Sequence, residues 1–167
     1  MILGREEILK LIKGNPPLIT GWINLDAQLQ PSGFDLSLMK ISKFIDSGFI
    51  DFSNRKRKIP NTIEVFFDPE GKVNLEKGCY LLTFNEYLNL PLDVAAIAKP
   101  RSSLIRSGAT VETALWDPGY RGRSKALLVV FNEYGLTLEQ NARVVQLIFM
   151  RVSNVDKGYC GLYQGET

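Results

Sequence analysis

Apolar residues in this chain gather in short runs cut by Gly, Pro, Asn and Asp, a pattern of many strands and few helices. One helix is predicted near the start, over residues 4–13. There Glu6 and Glu7 come early, Lys10 and Lys13 late, apolar side chains fill 8, 9, 11 and 12, and Gly14-Asn15-Pro16-Pro17 stops it. Strands are predicted over 18–20, 34–41, 49–52, 62–67, 73–75, 78–84, 94–98, 124–131, 136–138 and 142–152, with a turn over 68–72. Residues 110–116 read as a strand pair or hairpin, and 104–106 as a short helical piece. No repeat or low-complexity linker breaks the series. The expectation is one all-β domain over 1–167, a barrel or jelly-roll-like sandwich, with 153–167 as a tail that either closes over a site or frays. The apolar strands over 127–131 and 144–149 also point to contacts between copies.

The chemistry concentrates in residues 99–120. Pro100-Arg101-Ser102-Ser103 sets two hydroxyls beside a cation at a helix start, a seat for phosphate. Asp117-Pro118-Gly119-Tyr120 puts a carboxylate on a forced turn, where it can hold an attacking water. Taken singly, these residues also read as a helix cap and a chain turn.

Composition narrows the choices. The chain has 167 residues, 45% apolar and 23% charged, with net charge +2, so no general attraction to nucleic acid or membrane is expected. Met1-Ile2-Leu3 runs straight into Gly4-Arg5-Glu6-Glu7, unlike a secretion signal, and no apolar run is long enough to span a bilayer. Cys79 and Cys160 are far apart and are expected to be packing residues in a reducing cytoplasm. The basic run Arg55-Lys56-Arg57-Lys58 reads as a solvated loop or hairpin tip. There is no histidine, which removes His-dependent nucleophile systems and imidazole zinc sites. Hydrolysis would have to run on carboxylates, Tyr, Lys or Arg, with Mg²⁺ held by oxygens.

Four segments in fixed order carry a resemblance: Gly33-Phe34-Asp35-Leu36, Pro100-Arg101-Ser102-Ser103-Leu104, Trp116-Asp117-Pro118-Gly119-Tyr120-Arg121-Gly122, and Asn141-Ala142-Arg143-Val144-Val145-Gln146-Leu147-Ile148-Phe149. Together they resemble the trimeric dUTPase and dCTP deaminase superfamily, with Asn141 where the family usually has Gly. The resemblance implies a distorted jelly-roll-like β-barrel of the β-clip kind, with short helices at the N-terminus and after Arg-Ser-Ser. It also implies a homotrimer with sites between subunits, and a deoxynucleoside triphosphate bound with Mg²⁺. Two reactions fit the family: water attack on the α-phosphorus of dUTP, or zinc-free deamination of dCTP at C4.

The deaminases resemble one another in a glutamate three residues before the Asn that ends the strand after the third motif. Counting back from Asn132 places Val129 there, and no acid lies between Asp117 and Glu133. Valine cannot carry a proton, which favours dUTP hydrolysis to dUMP and pyrophosphate. Arg106 and the tail over 159–165 look more deaminase-like, and Glu112 is a spare acid on the central hairpin. A dCTP deaminase, a bifunctional enzyme and a non-catalytic nucleotide-binding module therefore stay open as alternatives.

The resemblance implies roles residue by residue. Asp117 orients and deprotonates the water. Tyr120 lies against the deoxyribose and leaves no room for a 2′-hydroxyl. Arg101, Ser102 and Ser103 bind the phosphates, Arg106 adds a cation, and Gln146 reaches the α-phosphate region. Asp35 supports motif packing or the water shell of Mg²⁺, with no direct metal ligand expected. Thr113 and Ala114 in the hairpin read the base through the backbone, where a mismatched buried group costs about 1–3 kcal/mol. Tyr163 and Gln164 close over the nucleotide of a neighbouring subunit.

Overall fold

The structure, a computed structural model, describes residues 1–153 and 155–167. In chain order its elements are α1 (Arg5–Ile12), β1 (Ile19–Thr20), α2 (Leu25–Gln28), β2 (Leu29–Gln30), β3 (Gly33–Phe44), β4 (Thr62–Val65), β5 (Lys72–Leu75), β6 (Gly78–Asn89), β7 (Val94–Pro100), α3 (Ser102–Arg106), β8 (Ala109–Glu112), β9 (Arg121–Val130), β10 (Leu136–Glu139) and β11 (Arg143–Arg151). The fold is mostly β with a few short helices, as the apolar pattern predicts.

Nine strands form one curved sheet in the order β7-β11-β3-β6-β9-β8, with β1 on β6 and β2 and β4 on β3; β5 and β10 make a separate pair. Strand β3 joins the two halves. Its first part, Phe34 to Ser37, pairs with β11, and its second part, Leu38 to Lys43, pairs with β6. The two ends of the series are drawn together by Trp116, which exchanges two 3.0 Å backbone hydrogen bonds with Ala96 of β7. The sheet is thereby almost closed into a barrel.

The core lies inside that curve. Phe34, Leu36 and Leu38 of β3 meet Leu82, Phe84 and Leu88 of β6, Leu128 of β9, and Val145, Leu147 and Phe149 of β11, all buried. Each such side chain contributes about 2 kcal/mol by leaving water. Helix α1 covers one end with Ile8 and Ile12. Strand β9 alternates cleanly, with Gly122, Ser124, Ala126, Leu128 and Val130 inward.

Several sequence expectations are corrected. Residues 49–52 are not a strand: Phe49 makes one bridge to Lys58, and Ile50 and Phe52 stand in solvent with no strand beside them. Strand β6 runs on past Phe84 to Asn89, because buried Glu86 finds partners inside. Residues 110–116 do not pair with themselves; β8 ends at Glu112 and pairs with β9. Cys79 and Cys160 are free and exposed rather than packed.

Candidate functional site

The site is built on the connection between β8 and β9. Pro118 and Gly119 occupy the middle of a turn closed by Tyr120 N donating to Asp117 O at 3.1 Å, and Gly119 takes the left-handed φ of 81° that a type II turn needs at its third position. The turn leaves Asp117 exposed and drives Tyr120 inward. Between them they flank a cavity of about 750 Å³, lined also by Glu112, Ala114, Trp116, Ser124, Tyr159 and Tyr163. That volume suits a nucleotide-sized ligand.

The tail lies on its own chain here. Tyr159 N donates to Pro118 O at 2.8 Å, and its ring meets Tyr120 edge-on with centroids 5.6 Å apart. The Gln164 amide takes a hydrogen bond from Arg121 N and donates to Gly119 O, each 2.9 Å, so it braces the turn. Glu166 bridges to Gly122 and pairs with Lys125.

Other residues named from the sequence form a second group. Arg101 precedes α3, whose first residues, Ser102 and Ser103, are exposed, as is Arg106 at its last turn. Asp35 is 1% exposed, and its Oδ2 lies 3.2 Å from Arg101 Nε and 3.2 Å from Arg143 Nη1. Burial pushes the Asp35 carboxyl up, and the Arg101 and Arg143 guanidinium groups pull it back. Gln146 is the register partner of both Asp35 and Lys99, so these three share one sheet row. The side chains of Asp35, Arg101, Ser102, Ser103, Arg106 and Gln146 do not line the cavity beside Asp117. Within one chain, the structure brings Ala114, Asp117, Tyr120 and Tyr163 together and leaves the group around Arg101 and Asp35 apart. Thr113 lies between, in a groove of about 470 Å³ that also holds Lys99, Thr110 and Glu112.

The β8–β9 register pairs Thr110 with Val129 and Glu112 with Leu127, placing all four on one face. The Thr110 hydroxyl donates to Glu112 Oε1 at 3.1 Å. Glu112 lines both the cavity and the groove, and Val129 lines neither.

Sequence reading missed several residues that shape the site. Ser124 is a polar residue at an inward position of β9, and that break in the alternation was the available signal. Arg143 stands in the fourth motif and Tyr159 in the tail, and membership of those segments was the available signal for both. Asn141 adopts φ 65°, a left-handed conformation that Asn tolerates better than most side chains, which explains how it replaces glycine in the fourth motif. Among the described residues, no group of three or more Asp, Glu, Cys or His side chains is arranged to hold a metal ion. Among the described residues, no helix is long and apolar enough to cross a membrane.

Residues 2–152 match the family model described as dCTP deaminase-like. A protein of Methanosarcina mazei named probable deoxyuridine 5'-triphosphate nucleotidohydrolase is 48% identical over 99% of this chain and 97% of its own length. Deoxyuridine 5'-triphosphate nucleotidohydrolase of Methanocaldococcus jannaschii is 43% identical over 84% of this chain and 89% of its own. Among solved structures, 2'-deoxycytidine 5'-triphosphate deaminase from Agrobacterium tumefaciens superposes with a TM-score of 0.66 at 22% identity, over 89% of this chain. This chain spans 47% of that structure, and the likeness concerns the fold.

Proposed function

The chain belongs to the dCTP deaminase-like family, and from its site we infer that it is a dUTP diphosphatase, hydrolysing dUTP to dUMP and pyrophosphate. Its relatives at 43–48% identity over nearly the whole chain carry that activity in their names. One observation carries the choice of reaction: the β9 residue opposite Thr110 is Val129, which has no proton to give to a pyrimidine ring, while Asp117 stands at the lip of the cavity.

In the proposed mechanism Asp117 orients a water and takes its proton as the water oxygen bonds to the α-phosphorus. The bond from that phosphorus to its bridging oxygen breaks, and pyrophosphate leaves. Tyr120 offers its ring to the deoxyribose, and the backbone at Thr113 and Ala114 reads the uracil edge. Arg101, Ser102, Ser103, Arg106 and Gln146 take the triphosphate. Because one chain separates these residues from its own cavity, we propose that a neighbouring copy supplies them, in a homotrimer. Tyr163 and Gln164 complete the closure from the tail. Mg²⁺ is proposed as part of the substrate: the described residues offer no cage, so the ion would ride on phosphate oxygens and neutralise their charge, with Asp35 reaching it only through water. The free cysteines fit a reducing compartment, and the cytoplasm is the proposed location.

A second reading, deamination of dCTP, is favoured by Glu112 at the cavity wall and by the deaminase-like Arg106 and tail. Incubation with dUTP and with dCTP, each with Mg²⁺, separates the two. Pyrophosphate from dUTP alone supports the diphosphatase. Ammonia from dCTP overturns it, and both products together mean a bifunctional enzyme.

A further inference from the structure

Within the cavity wall runs a short chain of buried hydrogen bonds that none of the four motifs contains in full. Trp116 Nε1 donates to Ser124 Oγ at 2.6 Å, and Ser124 Oγ lies 3.4 Å from the Tyr120 hydroxyl, to which it donates. Trp116, Ser124 and Tyr120 are 5%, 4% and 7% exposed, so water does not compete for these groups. We propose that Ser124 is a positioning residue for substrate selection: held by Trp116, its hydroxyl fixes the Tyr120 ring against which the deoxyribose is read, so that ribonucleotides are refused. The proposal rests on the dUTP reading above and extends it to a residue that does not itself touch the sugar.

An indole N–H only donates, so it takes one lone pair of the serine oxygen and leaves the serine proton free to reach the Tyr120 oxygen. Trp116 is itself anchored at its backbone, since its N–H and C=O are both bonded to Ala96. The anchor is therefore the barrel closure, and Ser124 passes its rigidity to the phenol. A Cβ at Gly122 would sit 2.8 Å from the Tyr120 oxygen, so the phenol rests directly on backbone. Tyr159 meets the ring at 69° and limits its tilt. A ring held by these contacts can exclude one extra hydroxyl; a ring free to rock cannot. The inward face of β9 is otherwise Gly, Ala, Leu and Val, so the one hydroxyl on it serves both as acceptor for the buried Trp116 indole and as partner for Tyr120.

The experiment compares kcat/KM for dUTP and UTP, by pyrophosphate release, in Ser124→Ala, Ser124→Thr and Tyr120→Phe. Each is also made with Trp22→Phe, which leaves Trp116 as the one indole, for fluorescence. Ser124→Ala is expected to lower the dUTP-over-UTP ratio by about tenfold, the equivalent of one buried hydrogen bond, and to shift Trp116 emission to shorter wavelength as the indole loses its acceptor. Ser124→Thr keeps the hydroxyl and should keep both the ratio and the emission. Tyr120→Phe keeps the ring and the Trp116–Ser124 bond, so its emission should hold while its ratio falls. Should Ser124→Ala fail to fold, Tyr120→Phe still decides. Full discrimination in either variant that folds overturns the proposal alone. Absence of pyrophosphate from the unaltered chain overturns the dUTP reading and the proposal with it, although the emission shift would still report the hydrogen bond.

Discussion

Asp35 Oδ2 lies 3.2 Å from Arg101 Nε, tying the first motif on β3 to the residue that opens α3. Arg143 reaches the same oxygen and also donates to Ala27 O, so one buried carboxylate orients two guanidinium groups that keep further N–H donors for a polyanion. Asp35→Asn keeps the shape and one acceptor but removes the charge that aligns them. Its KM for dUTP is expected to rise about tenfold or more, with a smaller change in kcat, because a lost charge-assisted contact at a binding group weakens substrate capture first. Steady-state pyrophosphate release checks this, and an unchanged KM would return Asp35 to a packing role.

Asp117 is the carboxylate the turn holds at the cavity lip. Asp117→Asn preserves size and the turn while removing the base. Turnover should be abolished, with dUTP affinity measured by calorimetry staying within about tenfold, since general-base loss acts on chemistry more than on binding. Full activity in this variant would shift the base to another acid, with Glu112 examined first.

How far the sequence spoke for this structure depends on distance along the chain. Helix α1 and strands β9 and β11 were legible because their periodicity is local and tertiary packing agrees with it. The Asp117–Tyr120 turn was legible from Pro-Gly chemistry alone. The extension of β6 was not, since Asn85-Glu86 looks like a break until Gln28 and Ser37 arrive from far away to satisfy the carboxylate. Residues 49–52 failed the other way: β-forming side chains without a neighbour strand stay unpaired. In the site, the motif residues were identifiable one by one. Their division between a cavity and a separate cationic group was invisible, because it depends on which strand ends the curved sheet brings near each other.

Glu86 gives a test of that hidden network. Its carboxylate accepts from Ser37 N at 2.9 Å, Ser37 Oγ at 2.5 Å and Gln28 Nε2 at 2.6 Å. Burial nonetheless outweighs these bonds and raises its pKa above the ordinary 4.5. Between 4.5 and the raised value the folded chain holds a proton that the unfolded chain has lost. The contribution of this group is therefore fully present below 4.5 and falls away as pH rises to the folded value. Glu86→Gln has no proton to lose, so its stability relative to the parent should rise through that window. Urea unfolding of both proteins across the acid to neutral range measures the difference, and a flat difference would mean that Glu86 titrates alike in both states.

Gly33 shows why the first motif needs glycine. A Cβ there would lie 2.1 Å from Leu147 O and 2.9 Å from Gln146 Nε2, and neither the backbone oxygen nor β11 can move away without breaking the sheet. Gly33→Ala should cost more than about 3 kcal/mol, beyond ordinary overpacking. Asn141→Gly is the contrast: the left-handed φ is kept and one side-chain bond from Asn85 is lost, so the change should stay within about 1 kcal/mol. Thermal unfolding of the two variants ranks them, and similar melting temperatures would show that β11 yields more easily than its packing implies.

Glu112 decides between the two reactions most directly. It shares a face with Val129 and lines the same cavity as Asp117, so it is the acid best placed to replace the missing proton carrier. Its position argues against that role: it is exposed on the last residue of β8, and its Oε1 is occupied by the Thr110 hydroxyl, whereas shuttling a proton to a ring needs a carboxylate fixed beside it. Glu112→Gln is therefore expected to lower pyrophosphate release from dUTP by less than about tenfold, well short of the loss that follows removal of a general base. The parent should give no ammonia from dCTP. If the parent does release ammonia and Glu112→Gln stops it while pyrophosphate release continues, Glu112 is the proton carrier after all, and Val129 marks a relocated acid instead of a lost one.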